Sequence, residues 1–519
     1  MRHRANWQVP ISVWQVAAVL LLGLLSVLSL GEKLLGEVSP QDEGLLLAYP
    51  DLILRGYTPY RDFTVAYPPG GFYLIAGTFH LFGDSILIER MVGVGYQLLI
   101  VAAVYLLGSR FAWSIGLISG TSVLGALQLF PSAGAYSMFG AEAILLFAFL
   151  CAYRSREEQD SASEKKWAVL AGLLAGSTYW FRVDAGVVGT VALIVTIGPR
   201  STRRVAPFLV ALALPACALI AFAVAVGPAA MYDSMVADLV RIAPGRKLPV
   251  HASDSLVGLF ICVMATAAIA ITARARNDLE HFAWLARGIA VFSIGMLPVV
   301  LQRADQWHIA YVGAAIAGLT VISVGGMLTS KKWYPRVSKA GTILLVMAVI
   351  ALFGIGSARS VGENRDILRI TSGDRWVPAK NRDFLSASNS VVSSANDLIR
   401  EINRLALPGD KLFVGPRDSR FSNYNDTFLY YLLPTLRPAS RYLEMNPGAA
   451  NRSDSGLADQ IASADWLILT SRYVRWNEPN ASMIPGSSLP NEVVSRHFCI
   501  YSEHDVWQLL GRCAAREVH

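Results

Sequence analysis

The sequence predicts a polytopic α-helical membrane protein, with about eleven transmembrane helices and a C-terminal extracytoplasmic α/β domain. Three observations carry that prediction. Only 16% of the 519 residues are charged and 54% are hydrophobic, whereas a soluble chain carries about a quarter charged residues. Apolar runs of about twenty residues recur between short basic clusters. From about Ser360 those runs stop, and strand-like and helix-like segments alternate instead.

The first span is expected near 11–31. It starts behind Arg2 and Arg4, but its apolar run is long and no small-residue cleavage site follows, which argues against a signal peptide. A long external loop, 32–84, comes next. Spans two to four are expected near 85–108, 111–130 and 139–154. The stretch WAVLAGLLAGSTYWFRVDAGVVGTVALIVTIG reads as two short spans, 167–180 and 187–198, hinged at Phe181 to Gly186. Spans seven to eleven are expected near 205–226, 255–273, 287–301, 309–328 and 339–357. The segment Pro68 to Phe82 is apolar but too short for an ordinary span. It reads as an interfacial or re-entrant helix opening at Pro68–Pro69, because proline is tolerated in a first helical turn.

These spans divide the chain into a transmembrane module, 1–357, and a tail domain, 358–519. In the tail, KLFVGP (411–416), ASRYLEM (439–445) and DWLILT (465–470) read as strands, and TFLYYLLP (427–434) and GLADQIAS (456–463) as helices. The tail holds no Gly-rich phosphate fingerprint.

Charge supplies the orientation. The net charge is +7, yet the basic residues cluster in alternate short loops: Arg154, Arg156, Lys165 and Lys166; Arg200, Arg203 and Arg204; Arg274, Arg276 and Arg287; Lys331, Lys332, Arg336 and Lys339. That is the positive-inside pattern with a cytoplasmic N-terminus, so the basicity sets topology and gives no reason to expect nucleic acid as a partner. By parity, 32–84, 131–138, 181–186, 227–254, 302–308 and everything beyond 358 lie outside. Short loops and the basic start favour the cytoplasmic (inner) membrane of a bacterial cell. Cys499 and Cys513 can pair if the tail faces an oxidising compartment.

The external loop concentrates the chemistry. Asp42 and Glu43 open a segment whose leucines suit a helix lying in the interface. A carboxylate there can act as general base toward a sugar hydroxyl, or simply serve as an N-terminal cap and first-turn acid. Downstream follow G-Y-T-P-Y-R-D-F (56–63), Tyr67-Pro-Pro-Gly70, a short apolar helix, and Glu89-Arg90.

On these residues the chain resembles the GT-C superfamily of membrane glycosyltransferases, in particular the protein O-mannosyltransferases and lipid A aminoarabinose transferases. The resemblance covers the layout of roughly the first 330 residues, with its motifs dense in 40–92. It implies a GT-C-like fold and transfer of a sugar from a polyprenyl-phosphate donor to a glycan, lipid or protein acceptor at the outer face, with inversion and without a nucleotide sugar. Asp42 falls at the family's catalytic acid position, with Glu43 beside it. Glu142, at the outer start of the fourth span, corresponds to a second acidic residue of the family.

One departure stands out. Aminoarabinose transferases carry a phosphate-contacting lysine before the paired prolines, and this chain has Tyr67 there. The donor phosphate is then expected to meet Arg61, Arg90, Arg182 or Arg303, since a planar guanidinium fork binds phosphate oxygens bidentately. Asp184, Asp305 and His308 sit beside these arginines in the external hinges WFRVDAG and QRADQWHIA, where the pairs Arg182–Asp184 and Arg303–Asp305 can equally anchor helix ends. No HExxH or CxxC spacing occurs, which leaves only a divalent cation brought by other ligands. The rival reading is a transporter or flippase of lipid-linked sugars. It predicts charges near the bilayer midplane, whereas here they gather at one face.

Overall fold

The computed structural model describes residues 12–36, 39–273, 280–329, 382–383, 389–474 and 476–513. The expected eleventh span and the 357/358 domain boundary lie outside them.

The first span is α1 (Val13–Gly31). Two helices, α2 (Asp42–Leu54) and α3 (Gly70–Phe82), form in the loop before the second span, α4 (Ile86–Gly108). Then come α5 (Trp113–Leu127), α6 (Ser137–Glu157), α7 (Ser161–Thr178), α8 (Val183–Ile197) and α9 (Thr202–Val226). Short α10 (Pro228–Tyr232) passes through a π-helical turn into α11 (Asp238–Arg246). The bundle continues with α12 (Asp254–Ala273), α13 (Glu280–Gly295), α14 (Leu297–Gln302) and α15 (Gln306–Leu328). Every expected span within the described residues is helical. Among those residues, 7 helical segments are long and apolar enough to cross a membrane, and α5 and α8 are shorter apolar helices. The hinge between α7 and α8 is tighter and earlier than expected, because α8 already starts at Val183.

Side-chain distribution separates the lipid-facing helices from the core. α15 is buried along almost its whole length, while α1 and α9 bury little, as expected of helices bathed in lipid. α7 and α9 meet through Gly172 and Gly176, where any Cβ would collide with the carbonyl oxygens of Phe208 and Leu212. Small residues four apart let two backbones approach this closely, which is how helices gain packing without a hydrophobic drive between them. At one end of the bundle basic residues pair across helices: Arg204 with Glu164 (2.6 Å), Arg110 with Glu157 (2.7 Å) and Arg156 with Glu280 (3.1 Å).

The opposite end carries α2, α3 and the C-terminal domain. That domain comprises α16 (Asn389–Leu405), β1 (Lys411–Pro416), α17 (Phe428–Leu432), β2 (Arg437–Pro438), α18 (Leu457–Ala462), β3 (Trp466–Thr470), α19 (Leu489–His497), β4 (Phe498–His504) and β5 (Trp507–Arg512). The sheet order is β2-β1-β3-β5-β4, with β1 parallel to β2 and β3, and β5 antiparallel to β3 and β4. The strands expected at 411–416 and 465–470 are present. The strand expected at 439–445 is not: only Arg437–Pro438 pairs with β1 before the chain leaves the sheet. Those residues instead cross to the bundle, where Arg441 O accepts from Thr64 N (2.8 Å). The β4–β5 hairpin lay outside the sequence expectation. Cys499 and Cys513 do pair, across this hairpin.

Candidate active site

α2 begins at Asp42 because Ser39 folds back on it: the Asp42 N–H donates to Ser39 Oγ (3.1 Å), which in turn donates to Asp42 Oδ2 (3.3 Å). This leaves Oδ1 without a hydrogen bond among the described residues. The carboxylate sits at a helix N-terminus, where the dipole favours negative charge.

Glu43 turns the other way. A one-residue step rotates the side chain by about a quarter-turn or more around the helix, and Glu43 is driven into the bundle. It pairs there with Arg90 at 2.9 Å, both side chains being 0% exposed. Ser132 also donates its hydroxyl to Glu43. Arg90 donates further to Leu34 O and Gly36 O, each at 2.8 Å. The adjacent acids therefore divide: Glu43 and Arg90 lock the end of the first span to the first turn of α2, and Asp42 alone faces the loop side. Enclosed in this way, Arg90 does not lie open to a ligand, contrary to the role expected for it.

The YPPG turn explains the next part. Gly70 N donates to Trp180 O at 2.7 Å, and a Cβ on Gly70 would stand 2.6 Å from that oxygen, so only glycine lets α3 start against the α7–α8 hinge. Tyr60, in the left-handed region at φ 70, donates its hydroxyl to Tyr67 O (2.8 Å). Together these contacts deliver Tyr67 to Arg182, whose guanidinium lies 5.6 Å from the ring centroid. Arg182 is held by a two-point pair with Asp184, Nε to Oδ1 at 2.9 Å.

Arg303 donates to Asp305 (3.0 Å), to Glu478 of the C-terminal domain (2.6 and 3.0 Å), to Tyr424 Oη (3.2 Å) and to Arg246 O (3.1 Å). Burial alone would push the Glu478 carboxyl up, but the bonds from Arg303, Tyr424 and Asn480 overcome it and hold it at about 2. Asp305 caps α15 by accepting from His308 N (2.9 Å), and pairs with His308 Nδ1 (2.8 Å). Arg303 thus latches the domain to the bundle.

Burial pushes the Asp42 carboxyl above its usual range, opposed by the charges of Arg246, His308 and Arg303 and by the Ser39 bond. Asp42, Tyr67, Arg182, Asp184, Arg303, Asp305 and His308 therefore gather at one end of the bundle, from loops far apart in sequence. Tyr67 describes the shape of the place: it is 38% exposed, yet burial raises its hydroxyl to about 12. A side chain both solvent-accessible and hemmed in by protein lines a recess.

Besides Glu43 and Arg90, two more predicted residues fall elsewhere. Arg61 stands on the surface, 58% exposed and paired with Asp62. Glu142 lies deeper in α6, 0% exposed, with neither carboxylate oxygen hydrogen-bonded among the described residues but within electrostatic reach of Tyr311. Two residues were missed. Arg246, from α11, is held by Asn446 (2.9 Å) and lies over the Tyr424 ring. Glu444, from the loop that left the sheet, is the second. Among the described residues no group of three or more His, Cys, Asp or Glu is placed to hold a metal. A separate cleft of about 630 Å³ opens at the far end of α2, lined by Arg55, Tyr57, Asp62 and Arg437 among others. It contains none of the Asp42 cluster, and the chemistry rather than the volume identifies the candidate centre.

The sequence matches no known family profile and no curated protein. Solved structures do match. The architecture is similar to ArnT from Cupriavidus metallidurans bound to undecaprenyl phosphate, with TM-score 0.57 and 12% identity over 97% of this chain and 98% of that one. The apo state of the same enzyme gives TM-score 0.56 at 12% identity, over 96% and 98%. The fold is GT-C. The archaeal oligosaccharyltransferase AglB from Archaeoglobus fulgidus, in complex with an inhibitory peptide and a dolichol-phosphate, aligns at TM-score 0.50 and 12% identity over 98% of this chain and 75% of that one.

Proposed function

We propose that this GT-C chain is an inverting glycosyltransferase that moves a hexosyl or pentosyl group from a polyprenyl-phosphate donor to an acceptor at the outer face of the cell membrane. The observation that carries it is Asp42: a carboxylate with a free oxygen at a helix N-terminus, in a recess shared with Arg246, Arg182 and Arg303. Two of the solved structures with this architecture hold a polyprenyl phosphate, undecaprenyl phosphate in ArnT and a dolichol-phosphate in AglB.

In this mechanism the donor's tail lies between helices in the bilayer and its phosphate meets guanidinium groups. Arg182 and Arg246 are the better candidates, because Arg303 already spends its donors on Glu478, Asp305 and Tyr424. Asp42 takes the proton from an acceptor hydroxyl as that oxygen bonds to the anomeric carbon. The anomeric C–O bond breaks, its electron pair leaves with the polyprenyl phosphate, and the arginines stabilise that charge as it develops. The Cys499–Cys513 disulfide fits a domain in an oxidising, extracytoplasmic space.

The test compares membrane glycolipids and envelope glycans by mass spectrometry in deletion, wild-type and Asp42→Asn strains. One sugar mass is expected to vanish on deletion and to return with wild type alone. Full restoration by Asp42→Asn at equal protein level would leave Asp42 a helix cap and move lipid-linked sugar transport to the front.

A further inference from the structure

Glu444 was invisible as a site residue because the C-terminal domain has to fold back before it comes near Asp42. The loop that carries Glu444 is fixed at three points. Arg441 O accepts from Thr64 N of the first loop (2.8 Å). Asn446 accepts from Arg246 Nε (2.9 Å). Pro447 and Gly448 pack against α11, where a Cβ on Gly245 would stand 2.8 Å from Pro447. Between the first two anchors the chain places Glu444 within electrostatic reach of Asp42, Arg246, Tyr67 and Tyr49.

What Glu444 does not do is equally informative. It forms no ion pair with Arg246, which turns to Asn446 instead, and it is not sealed, keeping intermediate exposure. An acid held for structure is paired and enclosed, as Glu43 is with Arg90. Burial penalises the charged form of Glu444, and the nearby charge of Arg246 and a hydrogen bond with Asn446 offset this only in part, which leaves some of the desolvation cost without a return in the empty protein. A ligand that donates hydrogen bonds supplies that return.

We infer that Glu444 is the acceptor-side carboxylate of this centre: it accepts a hydrogen bond from a hydroxyl of a sugar acceptor and presents the neighbouring hydroxyl to Asp42. This rests on the glycosyltransferase reading above. Charge assigns the sides. The donor phosphate is anionic and is drawn to Arg182 and Arg246, while an uncharged polyol meets two carboxylates without repulsion. The C-terminal domain is therefore part of the active site and contributes to the choice of acceptor. Glu444 touches substrate in this proposal and no bond is made or broken on it.

The test uses the full-length protein with Glu444→Gln and Glu444→Asp beside wild type and Asp42→Asn. Three readouts are taken: thermal unfolding in detergent, affinity for undecaprenyl phosphate, and the in-cell level of the glycan that deletion removes. Glu444→Gln is expected to keep wild-type unfolding and undecaprenyl phosphate affinity and to lower glycan formation roughly tenfold to a hundredfold, the size of one hydrogen bond to a charged group. Glu444→Asp keeps the charge and is expected to lie between Gln and wild type, which a purely steric role would not produce. Wild-type glycan levels in Glu444→Gln overturn the inference and leave the enzyme reading intact, as does a parallel loss of undecaprenyl phosphate affinity. A deletion strain with unchanged glycans overturns both.

Discussion

Replacing Arg90 separates two accounts of the paired acids. In the sequence Arg90 is a candidate for the donor phosphate; in the fold it is sealed against Glu43 at 2.9 Å, with both side chains 0% exposed. Arg90→Met leaves a buried carboxylate without its cation, which costs about 3–5 kcal/mol. It also withdraws the donor from Leu34 O and Gly36 O, and a stranded buried acceptor costs about 1–3 kcal/mol. These terms overlap and do not simply add, so the loss is about 4–6 kcal/mol, comparable with the whole stability of many domains, about 5–15 kcal/mol. Adding Glu43→Gln removes the stranded charge and is expected to restore a measurable part of it.

The assay is thermal unfolding of the detergent-purified protein, with undecaprenyl phosphate affinity measured on whatever remains folded. The expected order of stability is wild type, then the Glu43→Gln/Arg90→Met double variant, then Arg90→Met. An Arg90→Met protein that unfolds like wild type but no longer binds undecaprenyl phosphate would refute the anchoring account and return Arg90 to the donor site.

Asp42→Asn is expected to abolish transfer while leaving the protein at least as stable as wild type at pH 7. Burial raises the folded Asp42 carboxyl, so this group's stabilising proton is present below its unfolded value near pH 4 and is lost as pH rises through the folded value; the difference between the two proteins therefore narrows in acid. For the same reason the acid limb of the kcat/KM profile is expected above the ordinary carboxylate range. Glu478 runs the opposite way: lowered from 4.5 to about 2, it supports domain docking above pH 4.5 and loses that support as pH falls toward 2. Glu478→Gln is expected to make the C-terminal domain more protease-sensitive at neutral pH and to flatten that pH dependence. Cys499→Ser is expected to cost about 3 kcal/mol, the loop-closure value for a ring of this size, read as a lower unfolding temperature that reductant reproduces in wild type. Arg61→Ala, on the surface, is expected to change glycan levels by less than about twofold, as is usual for exposed pairs.

Much of the bundle was legible because a bilayer forces it: with no water to satisfy the backbone, each crossing segment becomes an apolar helix that hydropathy detects. Loop parity then placed Asp42, Arg182 and Arg303 at one end before any coordinates. What hydropathy does not encode is direction around a helix. Asp42 and Glu43 are equivalent as letters, and only the partners on α4 decide that one is buried and the other faces the recess. The same holds for the tail. ASRYLEM has the alternation of a strand, but its pairing with β1 ends where Ala439 N donates to Leu412 O (2.8 Å), and the contacts of Arg441, Asn446 and Pro447 with the bundle outweigh further pairing.

One signal for Arg246 was present and went unused. The loop 227–254 is assigned outside by parity, yet it carries Arg241, Arg246 and Lys247, against the trend that keeps basic residues on the cytoplasmic side. A cation retained where topology disfavours it has some other use, and two uses are visible. Arg241 pairs with its helical neighbour Asp238 at 2.9 Å, while Arg246 reaches across to Asn446 and into the field of Asp42. Exceptions to the charge rule are therefore a better guide to this centre than the rule. Glu444 had no such signal, because an acid in the C-terminal segment breaks no pattern; it comes into view only when the fold brings it within reach of Asp42 and Arg246.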